Sequence, residues 1–200
     1  MAKIELVEPV IRICAVISRH PQARQWAIET LNQQWGEIHV ATDLMPFEAG
    51  GYYRKQMGEG LQKTIVALGP PCDPAPLADW KTTTNQWEQA CSNDHDFCEP
   101  RPLNLDCGYV TQAKLVLATT KDRDHRIYLR DGIFAEVTLT YVHRRWADHR
   151  WTYPDYRTDE VKAFATKCRQ HLREHIKQSR LFRSRGEKGP TEKGPTARNS

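Results

Sequence analysis

Lys121, His125, Arg126 and Glu136, with Tyr153, Asp155 and Tyr156, bring cations, two carboxylates and rings into less than a fifth of the chain. Lys, His and Arg together suit an anionic ligand such as a phosphate, and Arg can grip it through a bidentate fork. Glu136 could orient Arg126 or act as a base, and His125 is the other candidate for proton transfer. Tyr52, Tyr53, Tyr153, Asp155 and Tyr156 are the candidate walls of such a site. The same residues also fit a purely structural role, in which an Arg126–Glu136 pair fixes strand register and the Trp151–Tyr156 segment packs rings over it.

Other chemistry has weaker support. Asp122, Asp124 and His125 are the candidate metal ligands, since oxygen sites need converging carboxylates. A D-x-D-H run in a polar turn is more often a capping set. His143, Asp148 and His149 form a second such group, and Cys91, His95 and Cys98 match no standard zinc spacing. There is no G-x-x-x-x-G-K-[ST] phosphate loop, and Gly50, Gly51, Gly58 and Gly60 lack a preceding strand. Thr120-Lys121-Asp122 is not the N-K-x-D of GTPases, because Arg123 stands two places after Lys121. No catalytic triad is visible. Cys107 near a helix start would have a lowered thiol pKa, but a small apolar role suits it better. The sequence specifies no cofactor.

These residues must be positioned by what precedes and follows them. Ile127 to Leu129 and Ile133 to Tyr141 flank Arg130-Asp131-Gly132 and read as a hairpin. A three-residue loop pairs Leu129 with Ile133, Ile127 with Ala135 and Tyr128 with Phe134, and brings Arg126 opposite Glu136. A two-residue turn would place Glu136 opposite Ile127, mixing charge with core, so the longer loop is preferred. Upstream, Val110, Ala113, Val116 and Leu117 recur at helical spacing, which predicts a buried helix from a cap at Asp106 to about Lys121. Asn104 is then a turn former. The connection from Lys121 to Arg126 would open onto the mouth of the hairpin.

The run NLD-x-GY, LATTKD, HRIYL and DGI-x-AEVTL, followed by WTYPDY at Trp151 to Tyr156, resembles the family catalogued as domain of unknown function 4416. MPF at Met45 to Phe47, YY at Tyr52 and Tyr53, and MG at Met57 and Gly58 extend the resemblance over roughly residues 10 to 175. Members are sometimes labelled GTP-binding, a label these residues do not support. Similar sequences carry Pro after the Asp of NLD, where this chain has Cys107; the loss weakens a helix start.

In order along the chain, Val10 to Ser18 predicts a strand and Gln22 to Trp35 a helix stopped by Gly36. Strands are expected at Glu37 to Leu44 and Leu61 to Leu68, a helix at Leu77 to Cys91 and a short strand at Leu103 to Leu105. A last helix should run from Thr158 to about Lys177. The expected fold is α+β, a mainly antiparallel sheet covered by helices, with a ferredoxin-like (split βαβ) half plus an added helix, hairpin and C-terminal helix.

Two hundred residues at 39% hydrophobic content suit one domain, expected over 1–177. From Lys177 onward, seven basic and two acidic residues give +5 of the chain's net +4, so the remainder is near neutral. Residues 178–200, with EKGPT twice, read as a disordered basic tail that would touch nucleic acid only weakly. No apolar run reaches the roughly 20 residues of a membrane span, and the N-terminus has no secretory h-region, so a cytoplasmic location is expected. Six cysteines without a regular framework read as free thiols. Two functions fit: binding of a phosphorylated small molecule or nucleotide, with or without catalysis, and a non-catalytic protein-interaction module. The oligomeric state is not encoded legibly.

Overall fold

A computed structural model describes residues 7–48, 54–94 and 96–179. Strand β1 (Val10–Ser18) is the axis of the fold. Its run VIRICAVIS is apolar on both faces because both are covered, as a central strand requires. It continues into helix α1 (Pro21–Trp35), where Pro21 opens the helix with the φ and missing N–H that a first turn tolerates. Next come β2 (Ile38–Ala41), β3 (Met45–Pro46), the single-turn α2 (Arg54–Met57), β4 (Gln62–Cys72) and α3 (Leu77–Asp94). The second half holds β5 (Asn104–Val110), β6 (Lys114–Thr119), β7 (Ile127–Arg130), β8 (Ile133–Val142), β9 (Arg145–Asp148) and α4 (Asp159–Ser179).

Among the described residues the strands form one antiparallel sheet in the order β2-β4-β1-β5-β6-β8-β7, with β3 beside β4 and β9 beside β8. The β1–α1–β2 connection passes over β4, and the β4–α3–β5 connection passes over β1. Alternate residues of β1 serve different layers. Val10, Cys14 and Val16 pack with Ala27 and Leu31 of α1 and Leu77 and Trp80 of α3. Ile11, Ile13 and Ala15 pack with Val161, Phe164, Ala165, Cys168, Leu172 and Ile176 of α4. The α4 spacing is an apolar helical stripe, and Thr158 caps its first turn by accepting from Val161 N–H at 3.3 Å. Burying each large side chain of that stripe contributes about 1.5 to 3 kcal/mol.

The expected central helix is not there. Asp106 lies inside β5 rather than at a cap, and residues 110–120 run through a turn into β6. An apolar run buried on both faces looks alike in helix and strand, and here the strand period won. Gly108 explains why the two strands can approach: a Cβ there would sit 2.1 Å from the Val116 carbonyl oxygen. Thr111 closes the turn, its hydroxyl accepting from the N–H groups of Ala113 and Lys114.

The hairpin keeps part of its expected register. Ile127 pairs with Ala135 and Tyr128 with Phe134, but Arg130, not Leu129, stands opposite Ile133. Asp131 and Gly132 both have positive φ (51° and 74°), the two-residue turn that suits the twist of paired strands. Leu129 is bulged out, and that extra residue lets the short turn coexist with the favoured side-chain faces. Strand β9 was not foreseen. Its turn at His143 and Arg144 takes positive φ (48° and 64°) without a glycine to announce it. The α4 helix reaches Ser179, two residues past its expected end, and the basic tail beyond it lies outside the described residues. Among those described, no helix is long and apolar enough to cross a membrane.

Candidate functional site

The β5–β6 ladder stops at Gly108 opposite Leu117. Beyond that pair the two strands part, and the outer backbone edge of β5 meets side chains of α3 where a neighbouring strand would stand. Leu105 N–H donates to Glu88 Oε1 at 2.8 Å, and its carbonyl accepts from Lys81 Nζ at 2.7 Å. This substitution satisfies a buried backbone without closing the sheet. A cavity of about 420 Å³ occupies the opening. Asn104 and Asp106 of β5 and Lys81 of α3 line one side, Ala118 to Lys121 at the end of β6 the other, and Tyr153 to Tyr156 cover it.

Of the expected site residues, Lys121, Arg126, Glu136, Tyr153, Asp155 and Tyr156 all line this cleft. Glu136 is 2% exposed and engaged at both oxygens. Its Oε2 accepts from Arg126 Nε at 2.9 Å and lies 3.1 Å from His125 Nε2, while Oε1 accepts from the Thr138 hydroxyl at 3.2 Å. Arg126 donates further to the Lys121 carbonyl at 2.8 Å and to the Tyr153 hydroxyl at 2.7 Å. The guanidinium therefore ties the 121–126 connection, the hairpin and the covering loop together. The connection survives from the sequence reading, although a strand and not a helix delivers it.

His125 stands just behind the wall, stacked on Trp151 at 5.0 Å, and His149 also stacks on that indole at 4.8 Å. Trp151 Nε1 in turn donates to the Val137 carbonyl at 3.0 Å. Asp122 and Asp124 are exposed, and Asp124 pairs with His125 and Arg150. Among the described residues no group of three or more His, Cys, Asp or Glu side chains is placed to hold a metal ion. Tyr52, Tyr53 and His95 lie outside the described residues.

The structure adds charges that sequence reasoning did not single out. Lys63 of β4 is 1% exposed, ion-paired with Asp155, and its ammonium lies 3.7 Å from the centre of the Tyr156 ring. Burial lowers the Lys63 pKa, and Asp155 only partly restores it. For Lys81, burial works against the charge, but Asp106 at 3.6 Å and Glu88 at 3.9 Å outweigh it and the pKa is raised. Arg101 donates to Glu88 Oε2 at 2.8 Å and to Asn104 Oδ1, and Asn104 Nδ2 donates to Asp106 Oδ2 at 2.9 Å. Asn104 and Asp106 are thus neither cap nor turn former. Two residues apart on a strand, they share one face, a spacing visible in the sequence once the segment is taken as extended.

Fold and site together define an α+β domain whose sheet opens into a charged, tyrosine-covered cleft. The family model for the domain of unknown function (DUF4416) matches residues 8–172, and the chain belongs to that family. No curated protein and no solved structure matched the chain.

Proposed function

We propose that the cleft between β5 and β6 binds a phosphorylated small molecule or nucleotide. The observation that carries this reading is the distribution of charge. The carboxylates set into the walls already have partners, Glu136 with Arg126, Asp155 with Lys63 and Asp106 with Lys81 and Asn104. Lys121 and Arg123 add two positive charges at the exposed rim against the single carboxylate of Glu48. Phe47, Tyr153 and Pro154 offer apolar surface beside them. A volume of about 420 Å³ falls within the range of roughly 300 to 1,000 Å³ typical of small-molecule sites. With both oxygens of Glu136 occupied, its role in this reading is to position Arg126.

A thermal-shift titration with nucleotides and sugar phosphates tests the proposal. A ligand at 100 times its Kd should stabilise the protein by about 2.7 kcal/mol. The shift should be lost in the double variant Lys121→Gln, Arg123→Gln, whose own stability should stay within about 1 kcal/mol of the wild type, as for surface charges. No shift with any anionic ligand, or an equal shift in the variant, overturns it.

One observation favours the second reading, a protein-interaction surface. Strand β7 ends the sheet and presents Ile127, Tyr128 and Leu129 at 67%, 59% and 38% exposure. Tyr156 is buried and the Trp151 indole N–H is bonded, so a partner would meet β7 instead. A stoichiometric partner captured by the wild type and lost on Tyr128→Ser would favour this reading; retention by that variant would remove β7 from it.

A further inference from the structure

Asp106 differs from every other carboxylate set into the cleft walls. It is the most exposed of them, with 34% of its side chain open, against 2% for Glu136 and 23% for Asp155. Its position is fixed from both sides. Asn104 Nδ2 donates to Oδ2 at 2.9 Å, and Arg101 holds Asn104 in turn through its side-chain oxygen. Its charge is offset from behind by Lys81, whose ammonium is 3.6 Å from Oδ1 and only 6% exposed. A carboxylate has about four acceptor positions, and these contacts leave part of that capacity on the cleft side.

This arrangement selects the chemistry of what it would accept. A ligand ammonium at Asp106 would compete with Lys81, already 3.6 Å from Oδ1, for the same carboxylate. A metal ion would need further carboxylates, and no such group converges among the described residues. A pair of neutral hydroxyls brings two O–H donors and no charge. Carboxylates bind ribose hydroxyls in this manner in nucleotide sites of unrelated folds. Lys121 and Arg123 stand across the opening on the β6 side, so the cleft has a carboxylate on one wall and cations at the rim of the other.

Resting on the anion-binding reading above, we infer that Asp106 hydrogen-bonds a vicinal diol of the ligand, making the ligand class a polyhydroxylated phosphate: a sugar phosphate or a ribonucleotide. Isothermal titration of the full chain with ribose 5-phosphate, 2-deoxyribose 5-phosphate and inorganic phosphate tests this. Ribose 5-phosphate should bind at least about tenfold more tightly than the deoxy compound, as expected for hydrogen bonds to a charged acceptor. Asp106→Asn should erase that ratio while leaving the affinity for inorganic phosphate within about twofold. Equal wild-type affinities for the ribose and deoxyribose compounds overturn the diol assignment but leave anion binding standing. Absence of binding by all three overturns the diol assignment, and anion binding falls with it when the nucleotides of the thermal-shift titration also give no shift. Because the ratio is measured on the wild type, the inference stays decidable even if Asp106→Asn does not fold.

Discussion

The two ends of β5 are built on opposite principles. From Gly108 to Val110 it lies between β1 and β6, and Gly108 lets the β6 backbone come close enough to pair. From Asn104 to Asp106 it keeps β1 but has parted from β6, and Lys81, Glu88 and Arg101 occupy the edge with a linked set of charges. One end is held by apolar burial and ladder hydrogen bonds, the other by ion pairs built on the buried Lys81 and Glu88. Burying apolar surface stabilises without needing partners, whereas buried charges are tolerated only while each keeps its own. A protein that needed only a stable sheet would have paired the strands to the end. Parting them gives a cleft, and the α3 charges make the parting tolerable.

The sharpest way to break this contrast is to remove a partner at the charged end. Glu88→Ala strips Leu105 N–H of its acceptor, leaves Arg101 without this carboxylate, and leaves Lys81 with Asp106 and the Leu105 carbonyl. It should cost about 4 kcal/mol in urea unfolding, because a buried N–H is left unsatisfied and the buried Lys81 charge loses one of its two carboxylates. A cost under about 1 kcal/mol would mean that the network is incidental. At the paired end, Gly108→Ala drives a Cβ into the Val116 carbonyl and should cost about 3 kcal/mol by forcing the strands apart. A neutral result there would show that the close approach is not required.

The smallest effect concerns the loop that brings Arg101 to the cleft. Glu99 in that loop bonds His20 Nε2 at 2.6 Å and Arg19 at 2.9 Å, and these contacts, His20 first, hold its carboxyl below the usual range. A depressed carboxylate pKa contributes stability that is present above the unfolded value of about 4.3 and is lost as pH falls through the folded value. Melting temperature should therefore fall as acid is added below about pH 4.3, and Glu99→Gln should flatten that part of the curve. An unchanged acid slope in the variant would contradict the assignment.

How much of this was readable beforehand differs between the same two ends. The first strand, the helices at 21–35 and 77–94, and the last helix were legible because their periods and stop residues were unambiguous. The residues of the cleft's covering side, Arg126, Glu136, Tyr153 and Tyr156, were legible because they cluster in sequence. The β5 wall was not. Misreading residues 110–120 as a helix turned Asp106 into a cap and hid its place beside Lys81, which comes from a segment 25 residues earlier in the chain. Gly108 was the available warning, since a glycine inside an apolar helix is unfavourable and inside a strand marks close backbone approach. Lys63 and Lys81 gave no comparable signal. A lysine's burial follows from which carboxylate meets it, and Asp155 reaches Lys63 only through the fold.

The most direct test of the cleft is to map a bound ligand by backbone amide NMR during titration with ribose 5-phosphate. The account predicts saturable shifts at Asp106, Thr119, Thr120, Lys121 and Tyr153, on both sides of the parted strands. Shifts confined to the basic tail or to β7, or none at all, would contradict it.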